Sequence, residues 1–249
     1  MDAIHDRELI NNSYYDQLAD KWYSAHDDPI ALLRAETREK LRWALPLLNN
    51  AKAQSVLDVG CGGGFATNFL ARLDFQVSGI DFSEPTLSVA RRMDATKSVN
   101  YVQGDAYQLP FVDGQFDAVL AFDFLEHVSD PQKIVQEVAR VLKPGGQFLF
   151  HTFNRSFLAW LIVIKGVEWF VKNTPKDLHT IKMFIKPEEL NHFCSLQGLS
   201  VQQWTGLRPK LNKEFWKMLA TKEVPEQFEF RQTKSKLISY CGQAIKSMN

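Results

Sequence analysis

The chain has 249 residues, 29 Lys+Arg against 29 Asp+Glu and 45% apolar side chains, the profile of an ordinary globular protein. A net charge of zero excludes a general nucleic-acid binder, which needs clustered Lys and Arg to neutralise phosphates, so no nucleic-acid partner is expected. The charge is unevenly placed: residues 1–150 carry 14 basic and 21 acidic side chains and residues 151–249 carry 15 and 8, which turns the C-terminal part towards anionic surfaces.

Met1 to Asp20 lacks the basic segment and apolar run of a secretory signal, which predicts a cytoplasmic protein. Cys61, Cys194 and Cys241 are odd in number and scattered, so all three are expected as free thiols, with neither a disulfide framework nor a metal knuckle. Residues 13–50 read as two helical segments, one carried by Tyr14, Leu18 and Trp22 and one by Leu33, Leu41, Ala44, Leu45 and Leu48, within an N-terminal helical extension (1–50). The pattern then changes to a strand, Ser55–Val59, a glycine turn, Gly60–Gly64, and a helix through Phe69, Leu70 and Leu73. Alternation continues with strand Gln76–Asp81, helix Glu84–Ala95, strands Asn100–Gly104 and Asp117–Phe122, helix Pro131–Leu142, a Pro144-Gly145-Gly146 turn and strand Gln147–Phe153. Such alternation predicts an α/β fold whose mostly parallel, doubly wound sheet is covered by helices on both faces.

The remainder divides into an apolar insert (154–197), with a helix from Pro187 to Gln197, and C-terminal strands (198–249) near 199–205 and 236–245; all of it, with a cofactor-binding core over 51–153, is read as one domain. Phe157 to Ile164 is apolar but far shorter than the ~20 residues of a spanning helix. With Trp169, Phe170 and the basic Arg155, Lys165, Lys172 and Lys176 around it, the segment suits either a helix lying in a membrane interface or a buried lid over the site.

In a doubly wound sheet the ligand sits at the carboxyl ends of the strands where the order reverses, and Gly60–Gly64 occupies that place. A dinucleotide fingerprint asks for a third glycine where this chain has Phe65, which disfavours a nicotinamide oxidoreductase. Asp81 ends the second strand, where a carboxylate can accept both ribose hydroxyls of an adenosine ligand, and Asp105 follows the third, where one can accept from an adenine amino group. Strand-end Asp and Gly are also ordinary turn residues, so the ordered set weighs more than any member.

That set, Asp58, Gly60, Gly62, Asp81 and Asp105, with Phe82 and Ala106 beside the acids, resembles the S-adenosylmethionine pocket of Rossmann-like class I methyltransferases. After the fourth strand, Asp123, Glu126 and His127 fall on one side if the chain turns helical at Asp123. Two carboxylates and an imidazole suit either a hard cation such as Mg2+ or a general base, His127, tuned by the acids; Glu126 and His127 also suit a plain bracing role for the next helix.

The stretches DVGCGGG, GIDFSEP and LEHVSDP, then Asn154-Arg155 and Pro175–Leu190, resemble the ubiquinone-biosynthesis O-methyltransferases over roughly 55–207. The resemblance implies methyl transfer from S-adenosylmethionine to a hydroxyl of a polyprenylated catechol or hydroquinol, with Gly60, Asp81 and Phe122 at cofactor-contacting positions. It implies an upstream cofactor-binding arginine, for which Arg38 is chosen by spacing over Arg34 and Arg42. It also associates a divalent metal with Asp123, Glu126 and His127. Asp177-Leu178 replaces the family's usual Gly-Thr, GDAYQLPF is closer to generic small-molecule methyltransferases, and the tail from Lys213 is longer than the pattern, which leaves methylation of another lipid-like acceptor, including C-methylation of a quinone precursor, as the nearest rival. A non-catalytic module that binds a membrane or partner is disfavoured by the intact cofactor set.

Overall fold

A computed structural model of the chain describes residues 13–176 and 178–248. The first part of the segment read for a secretory signal, and Asp177, lie outside them. Eight strands form one sheet in the order β3-β2-β1-β4-β5-β8-β6-β7. The first five are parallel: β1 (Ser55–Val59), β2 (Gln76–Asp81), β3 (Asn100–Gln103), β4 (Phe116–Phe122) and β5 (Leu142–Phe153). β8 (Ser239–Lys246) runs antiparallel between β5 and β6 (Leu199–Pro209), and β7 (Phe230–Thr233) closes the edge antiparallel to β6.

Period-two side-chain placement with both faces covered explains why β1 and β4 read as continuous apolar runs. On one face Leu57, Val59, Val119, Ala121, Phe148 and Phe150 pack on α6 (Pro131–Val141) and α9 (Pro187–Leu196). On the other, Val56, Ala118, Leu120 and Leu149 meet α3 (Ile30–Asn50) and α4 (Phe65–Ala71). Capping follows local chemistry: Ser83 accepts from the Thr86 amide to start α5 (Glu84–Met93), and Asp130 accepts from Lys133 to start α6.

The strand order reverses beside β1, with β2 on one side and β4 on the other, which opens a crevice at their carboxyl ends. The first helical segment of the sequence reading is two short pieces, α1 (Ser13–Asp16) and α2 (Lys21–Ser24), because Ala19 takes a left-handed conformation between them. The apolar insert forms a lid, α7 (Phe157–Ala159), a π-helical turn over Trp160–Gly166, and α8 (Val167–Phe170). The expectation of strands alone over 198–249 is corrected: α10 (Lys213–Thr221) and β7 lie there as well, with Asn212 accepting from the Phe215 amide as the helix cap.

Candidate active site

Gly60 and Gly62 leave β1 with φ of +70° and +52°. A Cβ on Gly60 would fall 2.2 Å from the Phe124 ring, and one on Gly62 2.8 Å from Trp22, so close approach as well as conformation demands glycine. Asp81 braces the turn from β2: Oδ2 accepts from the Gly62 amide at 2.9 Å and Oδ1 from the Ser83 amide at 3.0 Å. Burial raises the Asp81 carboxyl even though both amides oppose it. Burial, reinforced by the nearby Asp81, pushes Asp58 up to about 8, so Asp58 holds its proton at neutral pH. At the position of the missing third glycine, Phe65 packs edge-on against Trp22 and Tyr23.

These residues border a cavity of about 1090 Å³. Asp58, Gly60, Gly62, Asp81, Phe82, Asp105, Ala106 and Phe122 all line it. Asp105 holds its loop by accepting from the Tyr107 amide at 2.9 Å. The volume is above the usual range for one small ligand and suits two.

Arg38 does not reach this cavity, which corrects its assignment to the cofactor. Its guanidinium donates to the carbonyls of Glu226 (3.2 Å) and Phe228 (3.0 Å), and Arg34 donates to those of Trp22 (2.9 Å) and Ala25 (2.7 Å). The α3 cation that turns inward is Lys40, fully buried and hydrogen-bonded to Asp123 Oδ2, with Glu36 Oε2 at 3.7 Å. Burial alone would lower the Lys40 ammonium, but Asp123 and Glu36 more than offset it and raise its pKa. Asp123 also meets His151 Nδ1 at 2.6 Å, and Glu36 Oε1 lies 3.4 Å from His151 Nε2. Burial works against the charged Asp123, yet Lys40 and His151 hold it well below the carboxylate range. Glu36, in contrast, is raised, because its desolvation outweighs the same two neighbours.

Glu36 is thus a cavity-lining residue that the sequence reading missed, and Lys40 and His151 are the buried partners behind it and Asp123. Glu36 and Lys40 stand four apart on one helix face, and His151 is the one histidine inside the apolar strand β5. Glu36, Asp123 and His151 are also the one trio among the described residues whose ligand-type atoms lie within 4.8 Å of one another. Lys40 already supplies the positive charge between Asp123 and Glu36, so the trio is an ion-pair network rather than a vacant cation cage.

The expected face of Asp123, Glu126 and His127 does not form. Asp123 takes φ +53° and the helical turn begins only at Leu125, so Asp123 points back to Lys40 and His151. Glu126 is fully buried outside the cavity lining; Thr152 Oγ1 donates to its Oε2 at 2.7 Å, and burial with the Asp123 charge pushes it up to about 8. As a neutral acid behind the wall it holds structure rather than meeting substrate, a correction to its catalytic assignment. His127 does line the cavity, edge-on to Tyr15 with centroids 5.7 Å apart and 5.3 Å from the His179 ring. Burial drives His127 down to about 4 and His179 to about 3, the neighbouring His127 adding to the latter, so both rings are neutral at pH 7. Glu126 Oε1 and His127 Nδ1 are buried with no hydrogen-bond partner among the described residues. Of the three residues that the resemblance associates with a metal, Asp123 has both oxygens engaged and Glu126 is a neutral acid outside the lining, so Asp123, Glu126 and His127 do not converge on one cation.

Residues 57–150 match a family model described as a methyltransferase domain. The chain is 36% identical over 200 residues to the ubiquinone biosynthesis O-methyltransferase of Thiobacillus denitrificans, covering 78% of this chain and 84% of that protein. It is 33% identical over 214 residues to the enzyme of that name from Acinetobacter baumannii (84% and 90% covered), and 41% identical over 160 residues to that from Pectobacterium carotovorum (62% and 66%). Among solved structures it is similar to the magnesium protoporphyrin IX methyltransferase of Synechocystis with bound SAH, at TM-score 0.65 and 16% identity over 97% of this chain and 98% of that one. It is likewise similar in fold to a possible histamine N-methyltransferase of Thermotoga maritima, at TM-score 0.63 and 19% identity over 94% and 99% of the two chains. The chain therefore belongs to the ubiquinone biosynthesis O-methyltransferases, within the class I fold, and is an S-adenosylmethionine-dependent methyltransferase.

Proposed function

We propose that the chain methylates a hydroxyl of a catechol or hydroquinol ubiquinone precursor that bears an apolar prenyl tail. The observation that carries this reading is a single cavity walled at one end by Gly60, Asp81 and Asp105 and elsewhere by His127 and the apolar lid. S-adenosylmethionine, when bound, supplies a methyl group on a sulfonium, ready for in-line displacement. Gly60, Gly62, Asp81, Phe82, Asp105, Ala106, Phe122 and, behind them, Asp58 are the residues that would hold it. His127, neutral and lining the cavity, is the residue that would take the proton from the acceptor hydroxyl. Tyr15 and His179 hold that ring, and α1, α2 and the lid exclude water. The test is methyl transfer to a short-chain demethylubiquinol, followed as S-adenosylhomocysteine release; absence of transfer with intact cofactor binding sinks this acceptor.

Asp81→Ala removes a carboxylate aimed at ribose hydroxyls and frees the Gly62 and Ser83 amides. A hydrogen bond to a charged group contributes roughly 1.5–3 kcal/mol, so S-adenosylhomocysteine affinity is expected to fall about 10- to 150-fold by calorimetric titration. An unchanged affinity would place the cofactor elsewhere.

We also propose peripheral contact with an anionic bilayer. No helix among the described residues is long and apolar enough to cross a membrane. The lid nevertheless exposes Phe157 (74%) and Trp169 (54%) beside Lys172 and Lys176, as an interfacial element does. Lys165 and Lys172 pair with Glu168 and Glu223, which weakens the basic edge. Cosedimentation with anionic vesicles is expected for the native chain and is expected to drop for Phe157→Ser with Trp169→Ser; a native chain that stays in the supernatant with anionic vesicles would end the proposal.

A further inference from the structure

The lining of the cavity runs from the glycine turn and His127 to the long C-terminal segment. The same cavity that His127 lines is lined, under the lid, by Val171 and Leu32 and, from the long C-terminal segment, by Phe215, Met218, Leu219 and Phe228. Among lining residues from 199 onward only Ser239 has a polar side chain, and its hydroxyl donates to the Leu207 carbonyl at 3.2 Å. A region with no free hydrogen-bonding side chain suits a hydrocarbon and nothing charged.

This wall is built for its position. The Lys222 carbonyl ending α10 accepts from the Lys172 amide at 3.1 Å, tying the wall to the lid, and the Val224 amide donates to the His26 carbonyl at 2.7 Å. Arg38 clamps the Glu226 and Phe228 carbonyls onto α3, and Gln232 Nε2 donates to Glu39 Oε1 at 3.0 Å. The arginine chosen for the cofactor on spacing is thus a strut of this wall.

We infer that the cavity end formed by α10 and the turn before β7 is the subsite for the first units of the acceptor's apolar tail, with Met218 and Leu219 setting how much tail it takes. The inference rests on the proposed tailed acceptor and goes beyond it by assigning residues. The experiment uses the full chain with 4-alkylcatechols from butyl to dodecyl, read as kcat/KM for methylation and as affinity by calorimetry with S-adenosylhomocysteine bound. Affinity is expected to rise about fourfold per methylene and then level off where the subsite is full. Met218→Trp is expected to move the plateau to shorter chains and weaken dodecylcatechol at least tenfold more than butylcatechol. Leu219→Phe, at a half-buried position, gives the same pattern more mildly and decides the matter should Met218→Trp not fold. A flat chain-length series, or equal losses for short and long chains, overturns the assignment. Failure to bind or methylate any catechol while S-adenosylhomocysteine still binds overturns the acceptor reading first and the tail subsite with it.

Discussion

Lys40→Met is expected to destabilise the protein by about 3–5 kcal/mol, the cost of leaving a buried charge without its partner. For a chain of this size that is a fall in Tm of roughly 6–20 °C. The Lys40 ammonium is fully buried and bonded to Asp123, and the nearby Glu36 is also buried. Methionine keeps most of the volume, so packing contributes little and the loss reports the charge. His151 remains against Asp123 but cannot replace a donor on the other oxygen. Asp123→Asn alone is expected to be nearly as costly, because it leaves the ammonium buried beside Glu36 only. The double variant Lys40→Met with Asp123→Asn is expected to recover at least half of the summed loss, since neither partner is then an orphan. Additive losses in chemical denaturation would show that the pair is not coupled and that the two side chains act separately.

The sequence made the β1 to α6 region legible because its signals are local. Glycines, capping residues and unbroken apolar runs act within a few positions, and the ends of β1 and β2 are those expected from the pattern. The Lys40 network was hidden for the opposite reason. Its partners stand 83 positions apart in the chain, and a Glu/Lys pair at i,i+4 on a helix ordinarily faces water. His151 gives no signal of its partner in the sequence for want of the same long-range contact. Arg38 shows the limit of spacing as a guide: the helix supplies several cations, and only the packing of α3 on the sheet decides which turns inward. Asp123 failed through one dihedral, since a left-handed residue before the helical turn redirects the side chain from Glu126 and His127. In the C-terminal segment, Asn212 as a cap and the amphipathic spacing of Phe215, Met218 and Leu219 were available signals, and the short edge strand β7 was not.

His127→Ala is expected to lower kcat by about 10²- to 10⁴-fold, the usual contribution of a positioned general base, while S-adenosylhomocysteine affinity stays within about threefold of the native value. The ring is neutral because burial lowers its pKa to about 4, so proton acceptance is available throughout the neutral range. The sign of the pH effect follows. Loss of rate on the acid side needs protonation of His127, so the acid limb of kcat/KM is expected near pH 4 and not near the 6.5 of an exposed imidazole. Stability measured with EDTA present carries the same signature: between pH 6.5 and 4 the unfolded chain binds a proton that the folded His127 refuses. Folding free energy contributed by this group is therefore full above pH 6.5 and is lost as pH falls towards 4; the alanine variant loses this share of the slope and keeps that of His179. EDTA separates the two chemistries at this position. If the imidazole acts as the base, turnover persists in EDTA and falls about 10²- to 10⁴-fold in the variant; turnover that EDTA abolishes and added Mg2+ restores would instead show that a cation activates the hydroxyl. A variant that keeps native turnover would remove His127 from the chemistry and leave His179, the other neutral imidazole of the lining, as the proton acceptor.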